Sequence, residues 1–138
     1  MADHKDANLI LKLYDLRREA VMRDARKWFA TEFHPQSAAD VMAALHGPKN
    51  AYLRMLAGYW EMAAAMVLHD TIDAELFNDT TGEHMFFFAK VEPFLDDVRK
   101  QGGQPRMLKS LEKLVRKTPD SADRLKALRE NQRAMAAR

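Results

Sequence analysis

An all-α fold, a compact bundle of six or seven helices around one central apolar helix, follows from three features of the sequence. Apolar residues recur at helical spacing along nearly the whole chain, and strand-like alternation never persists beyond a few residues. Glycine and proline number 5 each and fall mostly at the joints between periodic segments, where helix breakers belong. The stretch at about 51–69 is apolar nearly all round, a pattern that requires cover on most sides.

The chain has 138 residues, the size of one domain, and can hold a core without metal or disulfide. Residues 1–138 are therefore expected to form a single helical domain, with a basic helical segment at about 104–138. With 47% hydrophobic and 30% charged residues, the composition is that of a globular chain and not a disordered one. Cysteine is absent, which excludes a disulfide scaffold, a thiolate nucleophile and a cysteine zinc site. The N-terminus, Met1-Ala2-Asp3-His4-Lys5-Asp6, lacks an apolar signal core, and Met55–Leu68 is too short to span a membrane. A cytoplasmic protein with no membrane partner is the expectation.

The first helix is predicted from about Asp6 to Phe33, with Leu9, Leu13, Leu16 and Ala20 as its apolar stripe and Glu19 paired with Arg23 one turn on. His34-Pro35 ends it. Ser37 and Asp40 form a capping box for a short helix that Gly47-Pro48 closes. Asn50 then caps the central helix, Ala51 to about His69, carrying Leu53, Leu56, Tyr59, Trp60, Ala63 and Val67. Thr71–Asn78 holds a single helical turn. Thr80 with Glu83 reads as a second capping box, starting a helix with the stripe Phe87, Phe88, Val91, Leu95 and Val98; Pro93 either kinks it, the favoured reading, or takes the first position of a second helix. Gln101-Gly102-Gly103 stops it, Pro105 opens the next, and Thr118-Pro119-Asp120 starts a peripheral last helix.

Catalytic and cofactor signatures are missing. No Glu-x-x-His pair, Gly-x-Ser-x-Gly turn or phosphate-binding glycine loop occurs, so no catalytic residue, metal ligand or cofactor is predicted. His69 and Asp73 lie one turn apart but at a helix end, where a histidine meets terminal carbonyls.

Two constellations are candidates for function. Glu61 lies inside the apolar central helix, with Arg54 two turns before it. A carboxylate there either anchors a small ligand, or acts as a general base, or is neutralised by Arg54 or by Arg17, Arg23 or Arg26 of the first helix; the ion pair is the expected outcome. Arg106, Lys109, Lys113 and Arg116 form a basic stripe beside Leu108, Leu111 and Val115, within a charge split of −6 over residues 1–98 and +8 over 99–138. Nucleic acid is one partner for such a stripe, although no aromatic residue follows Phe94 to stack on bases; the alternative is docking on the acidic half. Phe86 points away from Phe87, Phe88 and Val91, so this helix presents apolar surface on two sides, which implies either deep burial or a partner such as a second copy in a homodimer.

Leu16-Arg17-Arg18-Glu19, Trp28-Phe29 and Gly58-Tyr59-Trp60-Glu61-Met62 resemble segments of small bacterial helical proteins of unknown function, over about the first two-thirds of the chain. The resemblance implies a bacterial, all-helical protein and no activity. A non-enzymatic interaction or small-ligand-binding module is the leading expectation.

Overall fold

The computed structural model describes all residues, 1–138, and contains helices and no strand. The nine α-helices are α1 (His4–Arg17), α2 (Ala20–Thr31), α3 (Ala38–His46), α4 (Asn50–Leu68), α5 (Ala74–Thr80), α6 (Glu83–Val91), α7 (Leu95–Gly102), α8 (Lys109–Lys117) and α9 (Ser121–Ala136). A 3-10 turn over Glu92–Phe94 joins α6 to α7. None is long and apolar enough to cross a membrane.

The all-α bundle and its central helix are as the sequence predicts. α4 packs against α2, α3, α5 and α8, while α9 lies outside it on α6 and α8. Leu53, Leu56, Tyr59, Trp60, Ala63, Ala64 and Val67 of α4 are buried, and they join one continuous core reaching from Leu13 to Leu125. Asn50 is the first residue of α4 and not its cap; its amide nitrogen donates to the Gly47 carbonyl.

Two breaks raise the helix count to nine. A single helix over Asp6–Phe33 would be a rod of about 42 Å, longer than a small domain is wide. The chain instead bends at Arg18-Glu19. Glu19 does not pair with Arg23; its carboxylate turns back to accept from the Val21 and Met22 amides at 3.1 and 3.0 Å and starts α2. Those bonds hold its carboxyl below the usual range. The bend lays α1 across α4 and the start of α5: the Tyr59 hydroxyl donates to the Leu13 carbonyl, and the Asp73 amide donates to Asp6 at 2.8 Å. The second break is the kink expected at Pro93, relaxed into the 3-10 turn because proline supplies no amide hydrogen.

Three further helix ends differ from their sequence signals. Ser37 caps α3, but Asp40 accepts from the Gln36 amide, one residue outside the expected box. Thr80 closes α5 instead of opening α6, its hydroxyl donating to the Leu76 carbonyl at 2.8 Å. α8 begins at Lys109, well after Pro105, because Leu108 adopts a left-handed conformation (φ 56°) that buries its side chain.

That left-handed residue leaves α8 without a side-chain cap of its own. Glu61 supplies one from α4: its carboxylate accepts from the Ser110 amide at 3.1 Å and the Leu111 amide at 2.8 Å. The negative charge also complements the positive end of the α8 dipole. Glu61→Ala is expected to lower stability by about 1–3 kcal/mol, the range for a lost cap and a charged hydrogen-bond acceptor. Glu61→Gln, which keeps one acceptor, should lose less; urea titration of the three proteins measures both.

Candidate functional site

The sequence-predicted pair of Glu61 and Arg54 is not brought together. Glu61 faces α8, whereas exposed Arg54 reaches the other way and donates to the Leu45 carbonyl at 2.6 Å, in the last turn of α3. Neither Arg17, Arg23 nor Arg26 approaches Glu61 as an ion pair, so backbone amides and not a guanidinium satisfy this carboxylate. Glu61 borders none of the larger cavities; Arg54 borders one of about 470 Å³ between α3, α4 and α7.

The four residues of the basic stripe are all exposed. Arg106 precedes α8, and Lys113 has no acidic partner. Arg116 pairs with Glu112 at 3.0 Å and with Glu92 at 3.6 Å, and Lys109 lies 3.9 Å from Glu112. Part of the basic half thus docks on the acidic half: Arg116 and Arg129 both meet Glu92. The face of α6 that carries Phe86 is partly covered from within the chain, since Gln132 of α9 donates to the Phe86 carbonyl at 2.9 Å.

A site with a built apolar lining lies elsewhere. A cleft of about 550 Å³ opens between α2, α4, α6 and the end of α9. Its wall and floor are aromatic and aliphatic: Phe29 on α2, Leu56 and Trp60 on α4, Phe86 and Phe87 on α6, with Met135 of α9 at one edge. Phe29 stacks on Phe87 at 4.9 Å between ring centres and meets Phe86 edge-on at 6.0 Å. Such pairs fix ring orientation beyond what apolar burial requires.

Its rim is cationic. Arg23, Arg26 and Lys27 recur at i, i+3 and i+4 on α2, with the small Ala30 completing the row. Arg26 is committed to Glu83, with Nε and Nη2 each 2.7 Å from a carboxylate oxygen, and this pairing raises its pKa further. Its remaining Nη1 donates to the Arg17 carbonyl, pinning the end of α1. Arg23 and Lys27 make no ion pair. The cleft therefore joins an apolar body to two uncommitted positive charges.

Behind Trp60 sits a buried histidine. His84 is 1% exposed, between Trp60 and Phe77 with ring centres at 5.9 and 5.0 Å, and neither ring nitrogen has a protein partner. Burial, and then the charges of Arg124 and Arg17, push its pKa down to about 4. The neutral ring is thus the resident form at neutral pH. Burial likewise pushes the neighbouring Tyr59 hydroxyl up to about 12.

The cleft is not legible in the sequence, where Arg23 reads as the partner of Glu19 and both Arg23 and Arg26 as candidate partners of Glu61. The residual signal is Ala30, a small residue in line with three cations, which leaves room above them.

Residues 2–118 match the family described as a domain of unknown function, DUF4760, and the chain belongs to it. That agrees with the resemblance to uncharacterised helical proteins. The match ends at Thr118, so α9, which contributes Met135 to the cleft, lies beyond it. No curated protein and no solved structure matches the chain.

His84 gives the site a pH signature. Its native pKa of about 4 lies below the ordinary value of about 6.5, so the native state binds fewer protons between these limits. The stability it contributes is complete above pH 6.5 and is lost as pH falls through about 4, roughly 3 kcal/mol in all. His84→Leu should flatten the fall in stability between pH 6.5 and 4.5, measured by urea unfolding; an unchanged slope would show that His84 is not the titrating group.

Proposed function

We propose that the chain is a non-enzymatic small-ligand-binding module, acting as one helical domain in the cytoplasm, whose cleft takes an amphipathic organic anion. The carrying observation is the union of the aromatic floor with the unpaired Arg23 and Lys27 on one rim. A volume of about 550 Å³ lies within the range of roughly 300–1,000 Å³ usual for small-molecule sites, which are mostly apolar with few polar groups. In this reading a carboxylate or similar head meets Arg23 and Lys27, and an apolar body lies along Phe29, Phe86 and Trp60. Desolvated rings also strengthen the attraction between the head and the cations. Glu61 and Arg54 serve as helix-end clamps that hold α4 in place behind the cleft.

Decanoate is a suitable probe, with decanol as its uncharged counterpart. Titration followed by intrinsic tryptophan fluorescence, reading Trp60 in the cleft wall, is expected to give saturable binding of decanoate and much weaker binding of decanol. Removing both cations (R23A with K27A) should weaken decanoate by about tenfold or more, as the loss of charge-assisted hydrogen bonds implies. Ala30→Trp, which fills the cleft, should abolish it. Equal affinity for acid and alcohol would contradict the reading.

A second reading places nucleic acid on Arg106, Lys109, Lys113 and Arg116, supported by the exposure of all four. Glu112 and Glu92 neutralise part of that stripe, which favours the first reading. Binding of a duplex that falls steeply with salt and is weakened by K113A would favour the second.

A further inference from the structure

A smaller cavity, about 260 Å³, lies next along α6 from the cleft, beside the C-terminal end of that helix. The chain just after α2 (His34, Pro35, Gln36), the α6–α7 junction and α9 line it. Its charged lining is entirely of one sign: Lys90, Arg129 and Arg133, joined by His34.

Lys90 is the unusual member. It is 7% exposed, and its ammonium donates to the Phe29 carbonyl at 2.6 Å and the Phe33 carbonyl at 2.9 Å. It also lies over the faces of Phe29 and Phe86, at 4.7 and 5.3 Å from their centres. Carbonyl dipoles and ring faces orient a cation but carry no net charge, and no carboxylate comes within ion-pair distance of it. Glu92, the nearest acid along the helix, turns instead to Arg129 and Arg116. A buried cation left without a counter-charge is costly, and burial has pushed Lys90 down to about 8.

The other donors are arranged around that cation. Arg129 is fixed by Glu92 and by the Ala89 carbonyl, which orients the wall of the cavity. Arg133, one turn further along α9, is exposed and makes no ion pair. Gln132 is buried between them, its amide nitrogen committed to the Phe86 carbonyl. His34 is held at the rim by the Thr31 carbonyl, 3.1 Å away.

We infer that this cavity is a binding site for a compact, multiply charged oxyanion of the phosphate class, which supplies Lys90 with its missing counter-charge. Several cations converge on a space that lacks the aromatic floor of the first cleft, so a compact anion fits it better than an amphipathic one. Phosphate oxygens accept from guanidinium and ammonium donors at once, and a small phosphate monoester remains within the volume. This inference does not rest on the decanoate reading: the two spaces share no lining residue, although Lys90 packs on the Phe29 and Phe86 rings that line the cleft.

Inorganic phosphate is the probe, titrated into the full chain with ionic strength held constant by sodium chloride. Amide resonances of Gln36, Lys90 and Arg133 are expected to shift saturably, and chloride alone should leave them in place. Arg133→Ser, at an exposed position, should weaken phosphate about tenfold. Lys90→Met should abolish the response while near-ultraviolet dichroism confirms its fold. The R23A/K27A variant should bind phosphate as the parent does, which separates this test from that of the cleft. Equal responses to phosphate and chloride, or an Arg133→Ser variant with unchanged affinity, would overturn the inference. So would a duplex that shifts the same amides where inorganic phosphate does not.

Discussion

The fold depends on how its helix ends are satisfied. Every α-helix leaves backbone amides unpaired at one end and carbonyls at the other, and α3, α5, α6, α7 and α8 have nine residues or fewer. Helices that short do not persist alone in water. Side chains from neighbouring helices complete several of these ends. Glu61 of α4 closes the amide end of α8, and Arg54 of α4 closes the carbonyl end of α3. Lys90 of α6 closes the carbonyl end of α2, and Asp6 of α1 holds the entry to α5. Each clamp sets the charge at a helix end opposite to the dipole there.

These clamps explain where room for ligands remains. α4 holds α2 and α8 on either side through its apolar surface, and α6 is joined to α2 by Lys90 and by the Arg26–Glu83 pair. α2 and α6 are thereby fixed near each other but not flush, and the cleft occupies the gap. Further along α6, α9 is attached by Arg129 and Gln132, and the smaller cavity lies there beside Lys90. Polar bonds between helices thus border both spaces. His84 is a different kind of feature, a polar ring enclosed by aromatic neighbours without a partner, and it makes the same region sensitive to acid.

Much of this architecture is legible in the sequence where one segment carries its own signal. The all-round apolar character of α4, the stripe of Phe87, Phe88 and Val91, the Pro93 kink and the glycine stop before α8 are local, and each appears in the structure. The misread positions are those with two competing local uses. Glu19 fits a helix interior with Arg23 below it and equally fits a cap. Thr80 fits the start of α6 and equally the end of α5. Tertiary context decides between them, because a bend at Glu19 brings Leu13 to Tyr59. The ligand-sized cavities are less legible still, since each needs residues from helices far apart in sequence. Glu61 illustrates the limit: a carboxylate in an apolar helix is visibly anomalous, but its partners are amides that no residue pattern announces.

Native-state hydrogen exchange tests the central claim most directly. α4 as the hub, with Glu61 closing α8, predicts that amides from Leu53 to Val67 exchange slowest in the chain. It predicts in addition that Ser110 and Leu111, although in the first turn of a helix, are protected and lose that protection in a Glu61→Ala variant. Amides of α4 exchanging as fast as those of α5, or Ser110 and Leu111 exchanging freely in the parent protein, would contradict it.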